Sequence, residues 1–325
     1  MNFLILGLSR IVRKRVFPAL ASLDSVEIVH LASRSGGSAR ETPSFAKRGN
    51  VWDDYDRALR ELAPPGVVYV SLPNALHTKW AKEALESGFH VVVDKPAFLS
   101  LTEAADLERI ARERGLCLAE AIVWDYHPRI DAAKRLLSER PGSPVHLSAS
   151  FCFPPLEPSD FRYNSHLGGG ALYDLGPYAV SCGRVFFDED PLDIVCLICA
   201  RDPRGDVETA FSVLMSYSGG CSMTGYFAMH GEYRNRISVL APGLNMDIDR
   251  VFTPPADEKL PLPVRRSNAD EQIATDSGNA FARFFSETLN AIERNDLDTP
   301  RRTLLRDAAA LRRLRVSAGA DEHDD

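Results

Sequence analysis

Three residue types able to manage a proton beside a carbonyl oxygen, a carboxylate, a phenol and an ammonium, stand in suggestive places along this chain. The first two lie four apart behind a run of glycine, in GGGALYDLGPYAV from Gly168 to Val180. If the glycines open a helix, Asp174 and Tyr178 fall on one face about one turn apart and reach the same point. The ammonium is Lys95 in VVVDKPAFLS, between an acid and a proline just past an apolar run. Such a lysine can polarise a substrate oxygen, and a phenol can exchange a proton with it. A surface lysine, and a glycine turn leading into a helix with a buried tyrosine, are the plainer account of the same residues.

The first 120 residues alternate short apolar runs with amphipathic stretches: FLILGLS and a helix through Leu20, VEIVHLAS, GVVYVSLP and a helix from Ala75 to Ser87, FHVVVDKP, a helix from Leu101 to Arg114, then LCLAEA. This alternation predicts an α/β domain with a doubly wound parallel sheet. From about Val145 the runs become strand-like and turn-separated (VHLSASFCF, DIVCLICA, ETAFSVLMSY, CSMTGYFAM, RISVLAP), which predicts a mostly antiparallel open sheet in an α+β domain. Two helical segments, NAFARFFSETLNAIE and PRRTLLRDAAALRRLRV, follow, and AGADEHDD reads as a frayed acidic tail. The expected domains are residues 1–120 and 121–325.

The carboxyl edge of a parallel sheet is where ligands of such folds bind. Just past the first strand, GLSRIV stands where a dinucleotide fold has G-x-G-x-x-G/A: Gly7 permits the tight turn, while Ser9 and Val12 replace the later small residues. Ser9 can cap the helix and let a pyrophosphate approach its amides, which puts Gly7, Leu8, Ser9, Arg10 and Ile11 against the cofactor. A capped turn with no ligand fits these six residues as well. The second strand ends in LASRS, with Ser33 and Arg34 where an NAD site holds an acid. A hydroxyl and a guanidinium suit a 2′-phosphate, so the expected cofactor is NADP(H), against the alternative of a solvated loop arginine. Ser71, Leu72, Asn74 and His77 in SLPNALH, with Asp94 and Lys95, complete the expected cofactor edge.

With GLSRIV, SLPNALH, DKP and GGGALYDLGPY in this order, the chain resembles the Gfo/Idh/MocA oxidoreductases over nearly its whole length, most closely their sugar ketoreductase branch. The lysine of DKP looks like the family's E-K-P with Asp94 for glutamate, and the glycine block is similar to G-G-G-x-L-x-D-x-G-x-H/Y. The resemblance implies a Rossmann domain for the nicotinamide cofactor and a second domain that closes the substrate site and mediates oligomerisation. It also implies that Asp174 and Tyr178 project toward Lys95 with the substrate carbon between them. Tyrosine stands here for the family's usual histidine, as in its ketoreductases and dihydrodiol dehydrogenases, and a nearby ammonium would make the phenol a better acid. AEAIVWDYHPRI looks like the family's crossover segment and offers Trp124 to the nicotinamide end, with Asp125 replacing a basic residue and His127 expected to be structural. SDFRYNSHLGGG resembles the ketoreductases' substrate segment, so Arg162, Tyr163 and Asn164 would meet a sugar or its diphosphate; a plain polar loop is the competing reading.

Composition narrows the partners. With 38 basic residues, dispersed along the chain, against 45 acidic ones, binding to nucleic acid is not expected. The first apolar run has no charged region ahead of it and is too short to span a bilayer, so neither a signal peptide nor a membrane anchor is expected. Six cysteines in so long a chain are expected to stay reduced, which favours the cytoplasm. Cys196 and Cys199 form a C-x-x-C inside an apolar strand, whose faces alternate, so core cysteines are expected over a redox or metal pair. The function expected is an NADP(H)-dependent oxidoreductase moving a hydride between nicotinamide and a sugar or polyol carbon, without a metal, as a homodimer or homotetramer. A non-catalytic NADP-binding sensor or scaffold, or a dihydrodiol or cyclic-polyol dehydrogenase, are the alternatives.

Overall fold

The computed structural model describes residues 1–34, 47–204 and 207–320, so the last five residues of the acidic tail lie outside the described residues. The chain divides into two compact units: Met1–Ala121 with Phe281–Ala308, and Ile122–Ala280 with the segment from Ala309 onward.

The first unit is built on six parallel strands, β1 (Phe3–Leu6), β2 (Val29–Ala32), β3 (Arg48–Trp52), β4 (Val67–Val70), β5 (His90–Val93) and β6 (Leu118–Glu120), in the order β3-β2-β1-β4-β5-β6. Phe3 of β1 lies opposite Val29 of β2 and Val67 of β4. All four residues of β1, β2, β4 and β5 are buried, which is why these strands read as apolar runs, broken only by His30 in β2 and His90 at the head of β5. The crossovers carry a π-helical turn at Val12–Val16 running into α1 (Phe17–Ala21), then α2 (Tyr55–Glu61), α3 (His77–Glu86) and α4 (Leu101–Glu113). The order in which strands are added reverses between β1 and β4, which run parallel, so the switch point of the sheet lies at their carboxyl ends.

The second unit carries α5 (Pro128–Ser138), β7 (His146–Cys152), the one-turn α6 (Ala171–Asp174), α7 (Gly176–Phe187), then β8 (Asp193–Arg201), β9 (Glu208–Ser216), β10 (Ser222–Ala228), β11 (Arg234–Ala241), β12 (Leu244–Asp249), β13 (Leu262–Arg266) and β14 (Ala269–Ile273). Its eight strands run β14-β13-β12-β11-β7-β10-β9-β8, antiparallel throughout except β7 beside β10. One face packs Ala132, Leu136, Leu175, Ala179, Cys182 and Leu314 against the strands. The other leaves Val195, Leu197, Leu214, Tyr226 and Leu240 exposed. Cys196 is buried and Cys199 exposed, as the alternation of a strand requires. β12 to β14 were not expected from the sequence.

The chain closes with α8 (Ala280–Glu293) and α9 (Asp298–Ser317). The sequence reading puts both in the second domain, but residues 281–308 belong to the first unit. Phe285 of α8 sets its ring edge-on to Phe3 and Tyr69, each at 5.6 Å, and an amphipathic pattern does not say which sheet it will cover. Among the described residues no helix is long and apolar enough to cross a membrane.

Candidate active site

The carboxyl edge of the parallel sheet gathers most of the residues expected around the cofactor. Gly7 ends β1 at φ +97°, and a Cβ there would sit 2.2 Å from the Ser71 carbonyl oxygen, so only glycine allows β1 and β4 to close up at the switch point. Ser9 Oγ accepts from Val12 N at 3.2 Å and lies 2.8 Å from Ser71 Oγ; Ser71 Oγ in turn donates to Asp94 Oδ2 at 3.3 Å. A carboxylate only accepts, which orients the whole chain: Val12 donates to Ser9, Ser9 to Ser71, Ser71 to Asp94. The serine in place of glycine thus ties the first turn to the lysine loop. Asp94 Oδ1 also accepts from Lys95 N at 2.9 Å, and Glu120 Oε1 from Ala97 N at 2.9 Å.

Leu8, Ser9, Ile11, Leu72, Asp94 and Lys95 are half-buried and Arg10 exposed, whereas Ser71, Asn74 and His77 are buried. His77 departs from expectation. It is 0% exposed, with Nδ1 2.9 Å from Pro96 O and Nε2 2.8 Å from Leu72 O, so both ring nitrogens lie against backbone carbonyls. Burial pushes its pKa down, opposed by the Asp94 charge.

At the end of β2, Ser33 is buried and its N–H bonds Trp52 O at 2.9 Å. Arg34 is exposed, its guanidinium 4.8 Å from the Tyr55 ring centre and 5.4 Å from that of Trp80. These rings, which the sequence reading does not single out, hold the guanidinium at the carboxyl end of β2.

In the second unit Gly169 and Gly170 are packed from two sides. A Cβ on Gly169 would sit 2.6 Å from Arg162 O, and one on Gly170, at φ +110°, would sit 2.4 Å from Glu208 Oε1. Glu208 accepts from Leu172 N at 2.9 Å and so caps α6; burial pushes its carboxyl up. The expected single helix is broken. α6 ends at Asp174 and α7 starts at Gly176, because Pro177 has no N–H to continue the ladder. Asp174 is buried, its Oδ2 3.0 Å from Arg162 Nε, while Arg162 Nη1 lies 3.2 Å from Asp160 Oδ1. The two carboxylates raise the arginine's pKa and engage the charge expected to meet a sugar diphosphate. Tyr163 Oη accepts from Leu156 N at 3.1 Å, and Asn164 Oδ1 from His166 N at 3.0 Å, so the segment is largely spent on its own turn.

Tyr178 is half-buried, its ring 5.0 Å from Phe252 and 5.3 Å from Phe151. Trp124 is not at a ligand edge: it is 0% exposed, packs against Phe252 at 5.3 Å and donates Nε1–H to Ser181 Oγ at 3.0 Å. A flat apolar ring near a crossover fits a core as well as a cofactor, and here the core took it. Asp125 pairs with Arg184 at 3.1 Å, and His127 Nδ1 caps α5 by accepting from Arg129 N at 3.2 Å.

Residues 1–121 match the family described as oxidoreductase family, NAD-binding Rossmann fold (Gfo/Idh/MocA), and residues 130–241 match the Gfo/Idh/MocA C-terminal domain. A dTDP-3,4-didehydro-2,6-dideoxy-α-D-glucose 3-reductase from Actinomadura kijaniata is 31% identical, over 86% of this chain and 83% of its own. The chain belongs to the Gfo/Idh/MocA family. Another member, a reductase of the same description from Streptomyces violaceoruber, is 32% identical over 87% of this chain and 83% of its own. Among solved members, KijD10, a 3-ketoreductase from Actinomadura kijaniata in complex with NADP and TDP-benzene, superposes with a TM-score of 0.89 at 28% identity, covering 98% of both chains.

Proposed function

We propose that this protein is an NADP(H)-dependent ketoreductase that converts a keto group on a nucleotide-linked sugar to the alcohol. The observation that carries the reading is the full-length likeness to KijD10, solved with NADP and TDP-benzene. Variants of that enzyme with a single tyrosine or lysine replaced have also been crystallised with the same two ligands, which supports a tyrosine and a lysine as the working pair. The residues present fit a phosphorylated dinucleotide: the Gly7 turn closes β1 on β4, Ser9 caps the first helical turn, and Arg34 is held by Tyr55 and Trp80 for a 2′-phosphate.

When bound, NADPH supplies the hydride to the carbonyl carbon. Lys95 polarises the carbonyl oxygen and opposes the charge growing there. Tyr178 gives its hydroxyl proton to that oxygen, and the phenolate recovers a proton from solvent. Phe151 and Phe252 fix the plane of the ring. Asp174 anchors Arg162 beside the glycine turn and carries no proton in this scheme.

A second reading, a sugar dehydrogenase running the reverse reaction, is favoured by the 30% identity of D-xylose 1-dehydrogenase (NADP(+)) 2 from Haloferax volcanii over 68% of this chain. Loss of NADPH absorbance with a dTDP-linked 3-keto-sugar, set against NADP reduction with free D-xylose, separates the two. Turnover with neither substrate class would favour a non-catalytic NADP-binding sensor. We further place the protein in the cytoplasm, where six unpaired cysteines stay reduced, as a homodimer or homotetramer joined through the open sheet face with Val195, Leu197, Leu214 and Tyr226. A single-chain mass by light scattering at micromolar concentration would overturn the oligomer.

A further inference from the structure

The reaction as written leaves one buried, chemically capable side chain beside the lysine loop unused. His77 opens α3, wholly buried, between two carbonyl oxygens: Pro96 O at 2.9 Å from Nδ1, and Leu72 O at 2.8 Å from Nε2. A carbonyl only accepts, so each contact asks for a ring N–H. Burial favours the neutral ring, which has one N–H for two acceptors. Pro96 is buried while Leu72 is half-buried, where water can serve the oxygen. An acceptor left bare costs more inside than at the surface, which places the proton on Nδ1.

We propose that His77 is a positioning residue for Lys95, its Nδ1–H holding the Pro96 carbonyl and with it the segment that carries the ammonium. Three consecutive residues are then each pinned by one side chain: Lys95 N by Asp94, Pro96 O by His77, and Ala97 N by Glu120. The segment resists displacement from both sides, and a polarising charge must keep its place closely to act on one oxygen.

The link to turnover rests on the ketoreductase reading, so the test has one part that does not. Asparagine places its amide nitrogen about where Nδ1 lies, and glutamine about where Nε2 lies. His77→Asn therefore keeps the Pro96 bond, and His77→Gln keeps only the Leu72 contact. With NADPH and a dTDP-linked 3-keto-sugar, kcat of His77→Asn is expected within about 3-fold of wild type and that of His77→Gln at least about 10-fold below it, with KM for NADPH alike in both. A merely structural histidine would lower both variants together; equal losses, or the opposite order, overturn the proposal. In the wild-type protein, nitrogen-15 NMR of the ring should find Nδ1 protonated, and a bare Nδ1 overturns the proposal whether or not either variant folds. If wild type reduces no keto-sugar, the ketoreductase reading has failed on its own, and the ring proton still decides the place of His77.

Discussion

Tyr178 is the residue whose single replacement says most, because Phe151 and Phe252 hold its ring and phenylalanine would keep both contacts. Tyr178→Phe keeps the ring and removes the hydroxyl with its proton. Loss of a general acid costs about 10²- to 10⁴-fold in kcat, and the dissociation constant for NADPH should stay nearly constant. If kcat remains above about a third of wild type with chemistry rate-limiting, the proton comes from elsewhere. Arg34 makes a complementary case at the other end of the cofactor. Its guanidinium already lies against Tyr55 and Trp80, so little ordering is left to pay on binding a 2′-phosphate. Arg34→Ala is expected to weaken NADPH by about 1.5–3 kcal/mol and to leave NADH almost unchanged in a fluorescence titration. Equal losses for both would remove the 2′-phosphate role. Asp174 shows how a residue can be legible while its partner is not: the acid behind the glycines was plain in the sequence, but its Arg162 partner lies 12 residues upstream on another turn.

The glycine turn and its two short helices form the element that places Tyr178, and the need for each glycine differs. Gly170 combines φ +110° with a Cβ position 2.4 Å from Glu208 Oε1, whereas Gly142 has φ +73° and open space around it. Gly170→Ala should therefore cost more than about 2 kcal/mol in denaturant unfolding, and Gly142→Ala only about 1 kcal/mol for its left-handed backbone. Similar costs at the two positions would mean that the Glu208 packing does not constrain the turn. Glu208→Ala alone loses the Leu172 bond, but combined with Gly170→Ala the total cost should be less than the sum of the two, since the clash is then gone and the backbone strain remains. Strands β1, β2, β4 and β5 of the parallel sheet were readable because they are buried on both faces, whereas the partly exposed β3 was not; the glycine block was readable because three glycines in a row mark close approach. What escaped was the packing partner. Glu208 is an acid at the head of a strand, and nothing local says that it points into a turn near residue 170; the break at Leu175 follows from Pro177, which the four-residue spacing of Asp174 and Tyr178 does not take into account.

At the scale of the whole molecule, the sequence displayed the change from parallel to antiparallel patterning, but the return of residues 281–308 to the first unit depends on rings that meet only after folding, such as Phe285 on Phe3 and Tyr69. The two units also differ in how they hold protons. In the first, burial pushes His30, His77 and His90 below their ordinary value of 6.5. His30 Nδ1 accepts from Asn50 N and His90 Nδ1 from Cys117 N, bonds that a ring proton would break. Below about pH 6.5 the unfolded chain binds protons that the folded unit refuses, so the stability contributed by the neutral rings is full above that pH and is lost as pH falls through the lowered folded-state values. In the second unit burial raises Asp125 and Glu208, which bind protons more readily folded than unfolded and so act in the opposite sense. Each histidine that stays neutral can contribute at most about 1.4 kcal/mol per pH unit across its window. The melting temperature of the first unit is thus expected to fall between about pH 7.5 and pH 5.5. Replacing His30 and His90 together by asparagine, whose Oδ1 can accept the same N–H without titrating, should flatten that slope while keeping the melting temperature at the higher pH close to wild type. A slope unchanged in the double variant would assign the pH response to other groups.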